Sequence, residues 1–220
     1  MNLNKHLEFI DPVSYTKAIH IIGVGAIGSR VAEMLVRLGF SDLHIYDFDT
    51  VDDFNVTNQV YTSIHVGLPK TQALTSYLLE INPRVKVTAH ERYVAQPLSG
   101  AVFLCVDSIN LRREIATEQL TNTNIDIMFD IRMRLTDAQG YCAVWNDYKQ
   151  MEAFLNSMSF DDSEDSAPLS VCGTALSIAP TVFTIVSLQV NNFIRFLKKE
   201  KTVQVIFSDP MMFTLQTIKY

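Results

Sequence analysis

The sequence predicts an α/β protein with a Rossmann-like, doubly wound and mostly parallel sheet that ends in an antiparallel extension. Two observations predict the parallel part. Short apolar runs alternate with helical patterns along the first half of the chain, as in strand–helix–strand units. The first run, Ala18 to Ile22, leads directly into a Gly-x-Gly-x-x-Gly turn at Gly23, Gly25 and Gly28. Two short segments, Val203 to Ser208 and Met212 to Ile218, predict the antiparallel end.

The remaining elements follow from periodicity and from stop signals. The helix after the glycine turn is predicted to end at Gly39, and the one after the loop 52–69 is predicted to end at Asn82-Pro83. Further strands are predicted over Leu43 to Tyr46, Val85 to Ala89, Ala101 to Val106, Ile125 to Ile131 and Tyr141 to Trp145. Further helices are predicted over Lys70 to Ile81, Leu111 to Leu120 and Tyr148 to Met158, with a long apolar helix ending at Lys198-Lys199. With no repeat and no linker, we expect one domain over residues 1–220.

Composition narrows the class of protein. The formal net charge of −6 argues against general binding to nucleic acid or to an anionic membrane, since both need a basic surface. The three cysteines are far apart and the first 17 residues hold no signal-type apolar run, so we expect a cytoplasmic protein. The segment Ala175 to Ile194 is uncharged and long enough to span a membrane. Its proline, glutamine and asparagines favour a buried core or interface helix instead.

The glycine turn predicts a nucleotide site. The first glycine permits a tight turn, the second lets the backbone approach a phosphate, and the third lets the helix pack on the sheet. Asp47 follows the second predicted strand, 19 residues beyond Gly28, where a carboxylate can accept from ribose hydroxyls. A binding site for NAD would need no groups beyond the glycine turn and Asp47. Further polar groups lie at or just beyond strand ends, namely Asp49, Asn55, Gln59, Lys70 and Asp107. A cation and a carboxylate among them favour the phosphates and Mg²⁺ of ATP.

The chain resembles the ThiF/MoeB/HesA superfamily, relatives of ubiquitin-activating enzymes. The run from Ile45 to Gln59 is similar to that superfamily's D-x-D-x-V-x-x-x-N-L-x-R-Q signature, and Gly67 to Lys70 matches its later G-x-x-K. Asp107, with Arg112 five residues on, matches a later strand-end aspartate. The segments Asp130 to Met133 and Pro168 to Gly173 are similar to small stand-alone ThiF-like proteins of bacteria and phages.

The resemblance implies Mg-ATP binding and adenylation of the C-terminal glycine carboxylate of a ubiquitin-like or sulfur-carrier protein, performed by a homodimer. The three glycines would hold phosphate and Asp47 the ribose, while Asn55 and Lys70 would contact phosphates and Asp107 would hold Mg²⁺. Asp49, Asn58 and Gln59 fall on the same nucleotide-binding signature, and Arg112 is a weaker member that could instead belong to a solvated helix face. Lys70 and Asp107 are expected to be at least partly exposed.

Cys172 is the candidate thiol for taking over the activated acyl group. It precedes a long predicted helix, whose amino end would lower a thiol pKa, while four nearby carboxylates oppose that effect. Cys105 lies within an apolar strand and is expected to be buried and inert.

Two departures from the superfamily pattern keep an alternative open. Asn58 stands where the family has an arginine that contacts the distal phosphates, and the segment Met1 to Lys17 lacks the arginine supplied to a partner subunit. Lys5, Arg30, Arg112 and Arg132 are the candidate replacements. The alternative is a catalytically degenerate subunit that binds a nucleotide or a partner. An NAD-dependent oxidoreductase is a third interpretation, disfavoured because no Tyr-x-x-x-Lys or similar acid–base pair is placed near the turn.

Overall fold

The computed structural model describes residues 1–161 and 176–219. Eight strands form one sheet in the spatial order β3-β2-β1-β4-β5-β6-β7-β8. Their bounds are β1 Ile19–Ile22, β2 Asp42–Tyr46, β3 Lys86–His90, β4 Gly100–Leu104, β5 Ile125–Met133, β6 Ala138–Val144, β7 Val205–Asp209 and β8 Thr214–Ile218. The first five are parallel, and β6, β7 and β8 are antiparallel to their neighbours. The predicted fold class is confirmed.

The α-helices of the described residues are α1 Ala26–Leu38, α2 Lys70–Ile81, α3 Ile109–Glu118, α4 Tyr148–Asn156 and α5 Ala179–Leu197. Short 3-10 helices lie at Pro12–Ser14, Asp53–Thr57 and Ser63–His65, the last two within the predicted loop. Gly39 ends α1 as predicted. It adopts a φ of 104°, a left-handed conformation that glycine reaches without a side-chain clash, and its N–H bonds to the carbonyls of Leu35 and Val36.

The core has two layers because residues alternate across the strands. Ile19 and Ile21 of β1 belong to one apolar cluster and Ile22 to the other. The first cluster includes residues of α1, α2 and α5, and the second includes residues of α3 and α4. With helices on both faces, the strand ends are the exposed part of the sheet, which is where open α/β sheets bind ligands.

Several predicted boundaries differ from the structure by a few residues, those of α3 and β6 among them. Helix α3 begins at Ile109 rather than Leu111, because the hydroxyl of Ser108 caps it by accepting from the Leu111 N–H. Ser108, and not Asp107, is therefore the N-cap of α3. Strand β6 begins at Ala138, earlier than the predicted Tyr141.

The uncharged segment forms most of α5, and its described residues pack inward. Val182, Ile185, Val186 and Val190 are all buried against the sheet, while Phe183 is exposed. Within the described residues, no helix is both long and apolar enough to cross a membrane.

Candidate active site

The glycine turn is built by close backbone approach. Gly23 has a φ of +88°, and a Cβ there would lie 2.8 Å from the carbonyl carbon and oxygen of Cys105. A Cβ on Gly28 would lie 1.9 Å from the carbonyl oxygen of Gly23. A Cβ on Gly25, in contrast, would have no heavy atom within 4 Å. Gly25 therefore leaves open space at the amino end of α1, where unpaired N–H groups favour an anion.

A cavity of about 680 Å³ opens beside this turn, at the carboxyl ends of the parallel strands. Its lining includes Gly23 and Gly25 from the turn, Tyr46 to Asp49 after β2, Cys105 to Asp107 after β4, and Arg132 to Arg134 at the end of β5. Lys70, Arg92, Tyr93, Arg112, Leu176 and Ser177 also line it. The volume lies within the range of about 300–1,000 Å³ that is usual for small-molecule sites.

Asp47 joins the end of β2 to the glycine turn. Its Oδ2 accepts from the Val24 N–H at 2.8 Å, and its Oδ1 accepts from the Asp49 N–H at 2.9 Å. Burial raises the pKa of the Asp47 carboxyl above its usual range, although the two backbone hydrogen bonds oppose this. Each carboxylate oxygen has a second lone pair, so Asp47 remains able to accept from a ligand hydroxyl.

Lys70 and Asp49 form an ion pair at the cavity, with Lys70 Nζ 2.7 Å from Asp49 Oδ2. The side chain of Lys70 is only 9% exposed, whereas that of Asp49 is 51% exposed. The expectation that Lys70 would be partly exposed is thus wrong. Thr50 and Pro69 form a β-bridge, and the Lys70 N–H donates to the Asp49 carbonyl. These contacts hold the start of α2 against the loop. Asp107 is exposed, as expected.

Four of the nucleotide-site residues expected from the sequence do not line the cavity, namely Gly28, Asn55, Asn58 and Gln59. The side chain of Asn55 accepts from the Asp52 N–H and so caps the short helix Asp53–Thr57. Asn58 donates to the hydroxyl of Ser177, which does line the cavity. Asn55 and Asn58 therefore stabilise the loop beside the cavity.

Arg112 is neither a solvated helix residue nor a free phosphate ligand. It is buried, and it donates to Asp130 and to the carbonyls of Leu104, Val106 and Ile131. Arg132 pairs with the same buried Asp130 carboxylate and stacks over Tyr141. Two guanidinium groups thus share one fully buried carboxylate beneath the cavity. Sequence reasoning named both arginines but not the role of Asp130, whose Asp-x-Arg spacing places it on the same strand face as Arg132.

The other candidate replacements for the absent arginines lie elsewhere. Arg30 donates to Glu33 and to the Gln59 carbonyl, and its guanidinium packs over the ring of Phe183. Neither Arg30 nor Lys5 lines the cavity. Sequence reasoning missed Arg92, whose guanidinium lies 5.2 Å from the centre of the exposed Phe48 ring at the cavity wall. Phe48 lies between the two aspartates of the signature, so its position could have suggested a wall residue.

Asp107 is suited to a metal bound together with a phosphate ligand. In the part of the chain that the structure describes, its side chain has no hydrogen bond or ion pair, and no group of three metal-ligating side chains occurs. Mg²⁺ commonly takes only one or two protein carboxylates and completes its shell with substrate phosphates and water. A lone exposed carboxylate at the cavity fits that pattern.

The cysteines within the described residues are poor nucleophiles. Cys105 lines the cavity and is partly rather than fully buried, and Cys142 is buried. Burial raises the pKa of each thiol to about 12, so neither forms appreciable thiolate at neutral pH. Cys172 and most of the acidic segment before it lie outside the described residues.

Comparisons with known proteins identify the family of the chain. The ThiF family profile matches residues 14–219. Ubiquitin-like modifier-activating enzyme 5 of Caenorhabditis elegans is 38% identical over 74 residues, 34% of this chain and 18% of the relative. The Drosophila ananassae enzyme of the same name is 32% identical over 135 residues, 52% of this chain and 33% of the relative. The chain therefore matches only a minor part of these relatives.

Solved structures share the fold. E. coli MccB in a crystal with ATP superposes with a TM-score of 0.74 at 16% identity, covering 93% of this chain and 64% of that one. PaaA superposes with a TM-score of 0.72 at 15% identity, covering the same shares of the two chains. Because the family profile covers nearly the whole sequence, this chain belongs to the ThiF family.

Proposed function

We propose that this chain binds Mg-ATP in the cavity beside the glycine turn and adenylates the C-terminal carboxylate of a ubiquitin-like or sulfur-carrier protein. The observation that carries the proposal is that groups able to bind an anion, a hydroxyl and a metal line one cavity. The open amino end of α1 and the side chain of Lys70 line it together with the carboxylates of Asp47 and Asp107. These groups suit the phosphates, the ribose and the Mg²⁺ of Mg-ATP.

The arrangement fits adenylation because that reaction needs positioning and charge neutralisation more than acid–base catalysis. A carboxylate oxygen of the carrier attacks the α-phosphorus, the bond to the bridging oxygen breaks, and pyrophosphate leaves with its electron pair. The amino end of α1 and Lys70 stabilise the phosphates, and Asp47 accepts from the ribose. Asp107 would hold Mg²⁺, which when bound would supply positive charge beside the phosphates.

The names of relatives support the substrate class. The curated relatives are named for activating a ubiquitin-like modifier, and MccB was crystallised with ATP. A carrier with a C-terminal glycine is the corresponding substrate here. Sulfur transfer or conjugation through Cys172 would follow adenylation, and a thiol-sensitive adduct with the carrier that disappears in Cys172→Ser tests it.

Pyrophosphate exchange tests the proposed function. Labelled pyrophosphate should enter ATP in the presence of Mg²⁺ and the carrier. Asp107→Asn removes the metal-binding charge without changing side-chain size, so we expect exchange to fall at least a hundredfold, about 3 kcal/mol of transition-state stabilisation. Asp53→Asn is the matched control, since Asp53 is exposed and does not line the cavity. Wild-type exchange in Asp107→Asn would remove this residue from the site.

A catalytically degenerate binding subunit is the second candidate. The commitment of Arg112 and Arg132 to Asp130 favours it, because those guanidinium groups are already hydrogen-bonded. ATP binding detected by calorimetry, without any exchange in the wild-type chain, would select this alternative. Tighter binding of NAD than of ATP would instead favour an oxidoreductase.

A further inference from the structure

A second cavity, of about 760 Å³, lies at the opposite ends of the strands from the glycine turn. Val144 at the end of β6 pairs with Ile127 near the start of β5, so the cavity lies beside the amino ends of the parallel strands. The carboxyl end of α5 and residues 199–204 form the other wall. Its lining residues all differ from those of the nucleotide cavity.

The charge of this second cavity is positive. Lys199, Lys201 and Lys219 line it, and within residues 1–161 and 176–219 none of the three forms an ion pair. Its two carboxylates are already engaged. Asp147 caps α4 by accepting from two backbone N–H groups and from the amide of Gln150. Glu200 pairs with Arg195 and Lys198, at 3.3 and 3.5 Å.

The dipole of α5 does not account for all three lysines. Lys199 and Lys201 follow the carboxyl end of that helix, where cations are favoured in any protein. Lys219 follows β8 instead, and the pairing of Ile218 with Val205 brings it to the same place. Lys199 also adopts a φ of 58°, a left-handed conformation in which a non-glycine residue costs about 1 kcal/mol. Three cations converge here from two separate parts of the chain.

The wall of the cavity between the lysines is partly polar and partly apolar. Gln204 and Thr202 are buried, and the Gln204 side-chain amide donates to the Thr202 hydroxyl at 3.0 Å and to Oε1 of Gln150 at 3.3 Å. Phe196 and Val144 contribute apolar surface. An apolar wall with a few placed polar groups is typical of sites for small organic ligands.

We propose that this cavity is a second ligand site, which binds a small organic molecule carrying two or more carboxylate or phosphate groups on a partly apolar body. Three lysines that form no ion pair among the described residues supply charge-assisted hydrogen bonds, and the apolar wall covers the body of the ligand. The half-enclosed volume fits a small molecule better than an extended peptide, which binds along a groove or a sheet edge. The site is independent of the nucleotide cavity.

Calorimetric titration with benzene-1,3,5-tricarboxylate tests the proposal, because this probe places three carboxylates on one apolar ring. We expect saturable binding to the wild-type chain that weakens as salt is added. Lys199→Gln, Lys201→Gln and Lys219→Gln should each weaken it by about threefold to fivefold, and the triple variant should abolish it. Lys5→Gln is the control for general charge, and Arg92→Gln is the control for the nucleotide cavity.

Several outcomes would overturn the proposal. These are an absence of binding to the wild-type chain at millimolar probe, unchanged binding to the triple variant, or a loss of binding in Arg92→Gln alone. Circular dichroism and thermal unfolding establish that the triple variant is folded. Because its substitutions remove exposed side chains, we expect its midpoint to match that of the wild-type chain.

Discussion

At the scale of single residues, Lys70 contributes both a positive charge and a buried hydrocarbon stem. Its ammonium faces the nucleotide cavity, and its stem is buried beside the loop that carries Asp49. The partner carboxylate is half exposed, so water can solvate Asp49 when the lysine is removed. The charge and the stem can therefore be tested separately.

Lys70→Met keeps an unbranched apolar stem and removes the charge, whereas Lys70→Ala removes both. We expect both variants to lose pyrophosphate exchange, and we expect only the alanine variant to lose about 1–3 kcal/mol of unfolding free energy. Exchange assays and urea denaturation measure the two effects. Retained exchange in Lys70→Met would show that the ammonium does not contact the phosphates.

His20 makes folding stability sensitive to pH. Its imidazole is buried in β1 next to His44, and its Nδ1 lies 2.9 Å from the Tyr46 hydroxyl. Burial, together with His44 and His90, lowers the pKa of His20 to about 4. Burial is also the first cause that lowers the pKa of both His44 and His90. Because the unfolded chain takes up protons near pH 6.5 and the folded chain does not, stability falls as the pH decreases below that value.

Between pH 6.5 and pH 5 the loss from His20 should be about 2 kcal/mol. Urea denaturation at pH 7.5 and pH 5 measures it, above the range where most carboxylates titrate. His20→Gln, which has no ionisable group, should flatten this dependence. His6→Gln is a control, since His6 lies outside the cluster and bonds to the Leu38 carbonyl. An unchanged slope in His20→Gln would contradict the assignment.

At the scale of secondary-structure elements, α5 packs especially closely on β6 at Gly140. A Cβ on Gly140 would lie 1.8 Å from the Nε2 of Gln189, which is fully buried. Within the described part of the chain, neither polar atom of the Gln189 amide has a hydrogen-bond partner. The absence of a side chain at residue 140 therefore sets how near the helix lies to the sheet.

Gly140→Ala should lower the unfolding free energy by about 1–3 kcal/mol, because the added methyl displaces the amide. In a Gln189→Ala background the same methyl meets open space, so the additional loss should be close to zero. A double-mutant cycle by chemical denaturation measures this coupling. Additive losses would show that the two residues do not contact one another.

The elements also show which parts of the site could be predicted from the sequence. The glycine turn, Asp47 and Asp107 follow from local spacing, since the carboxyl ends of parallel strands meet at one edge. The pairing of Arg112 with Asp130 depends on how β5 lies beside β4, from which the chain enters α3, and no local pattern in the sequence carries that register. Asn55 matches the family signature. Its side-chain oxygen, however, accepts from the Asp52 N–H and helps to cap a short helix.

At the scale of the whole molecule, a homodimer remains a prediction, but its basis changes. The sequence favours a buried core or interface helix for the long uncharged segment, and its described part mostly fills the core. Phe183 is the large exposed apolar side chain that remains on α5, at 46% exposure. Phe213, at the turn between β7 and β8, is 96% exposed and provides a comparison on another surface.

Light scattering at micromolar concentration should give twice the chain mass. We expect Phe183→Glu to shift the population towards monomer, because a buried charge at an interface is unfavourable, and we expect Phe213→Glu to have little effect. A monomeric wild-type chain would contradict the prediction. Dissociation by Phe213→Glu alone would move the interface to the hairpin.

The two edge strands of the sheet, β3 and β8, differ in how readily they can pair with another molecule. On one side, Lys86 of the edge strand β3 is exposed and presents a charge that discourages further pairing. On the other side, every residue of β8 is exposed, including the apolar Leu215 and Ile218. Its outer N–H and C=O groups can pair with a strand of a neighbouring molecule. Slow, ordered aggregation in concentrated solution is therefore expected to start at β8, and Leu215→Lys should delay it.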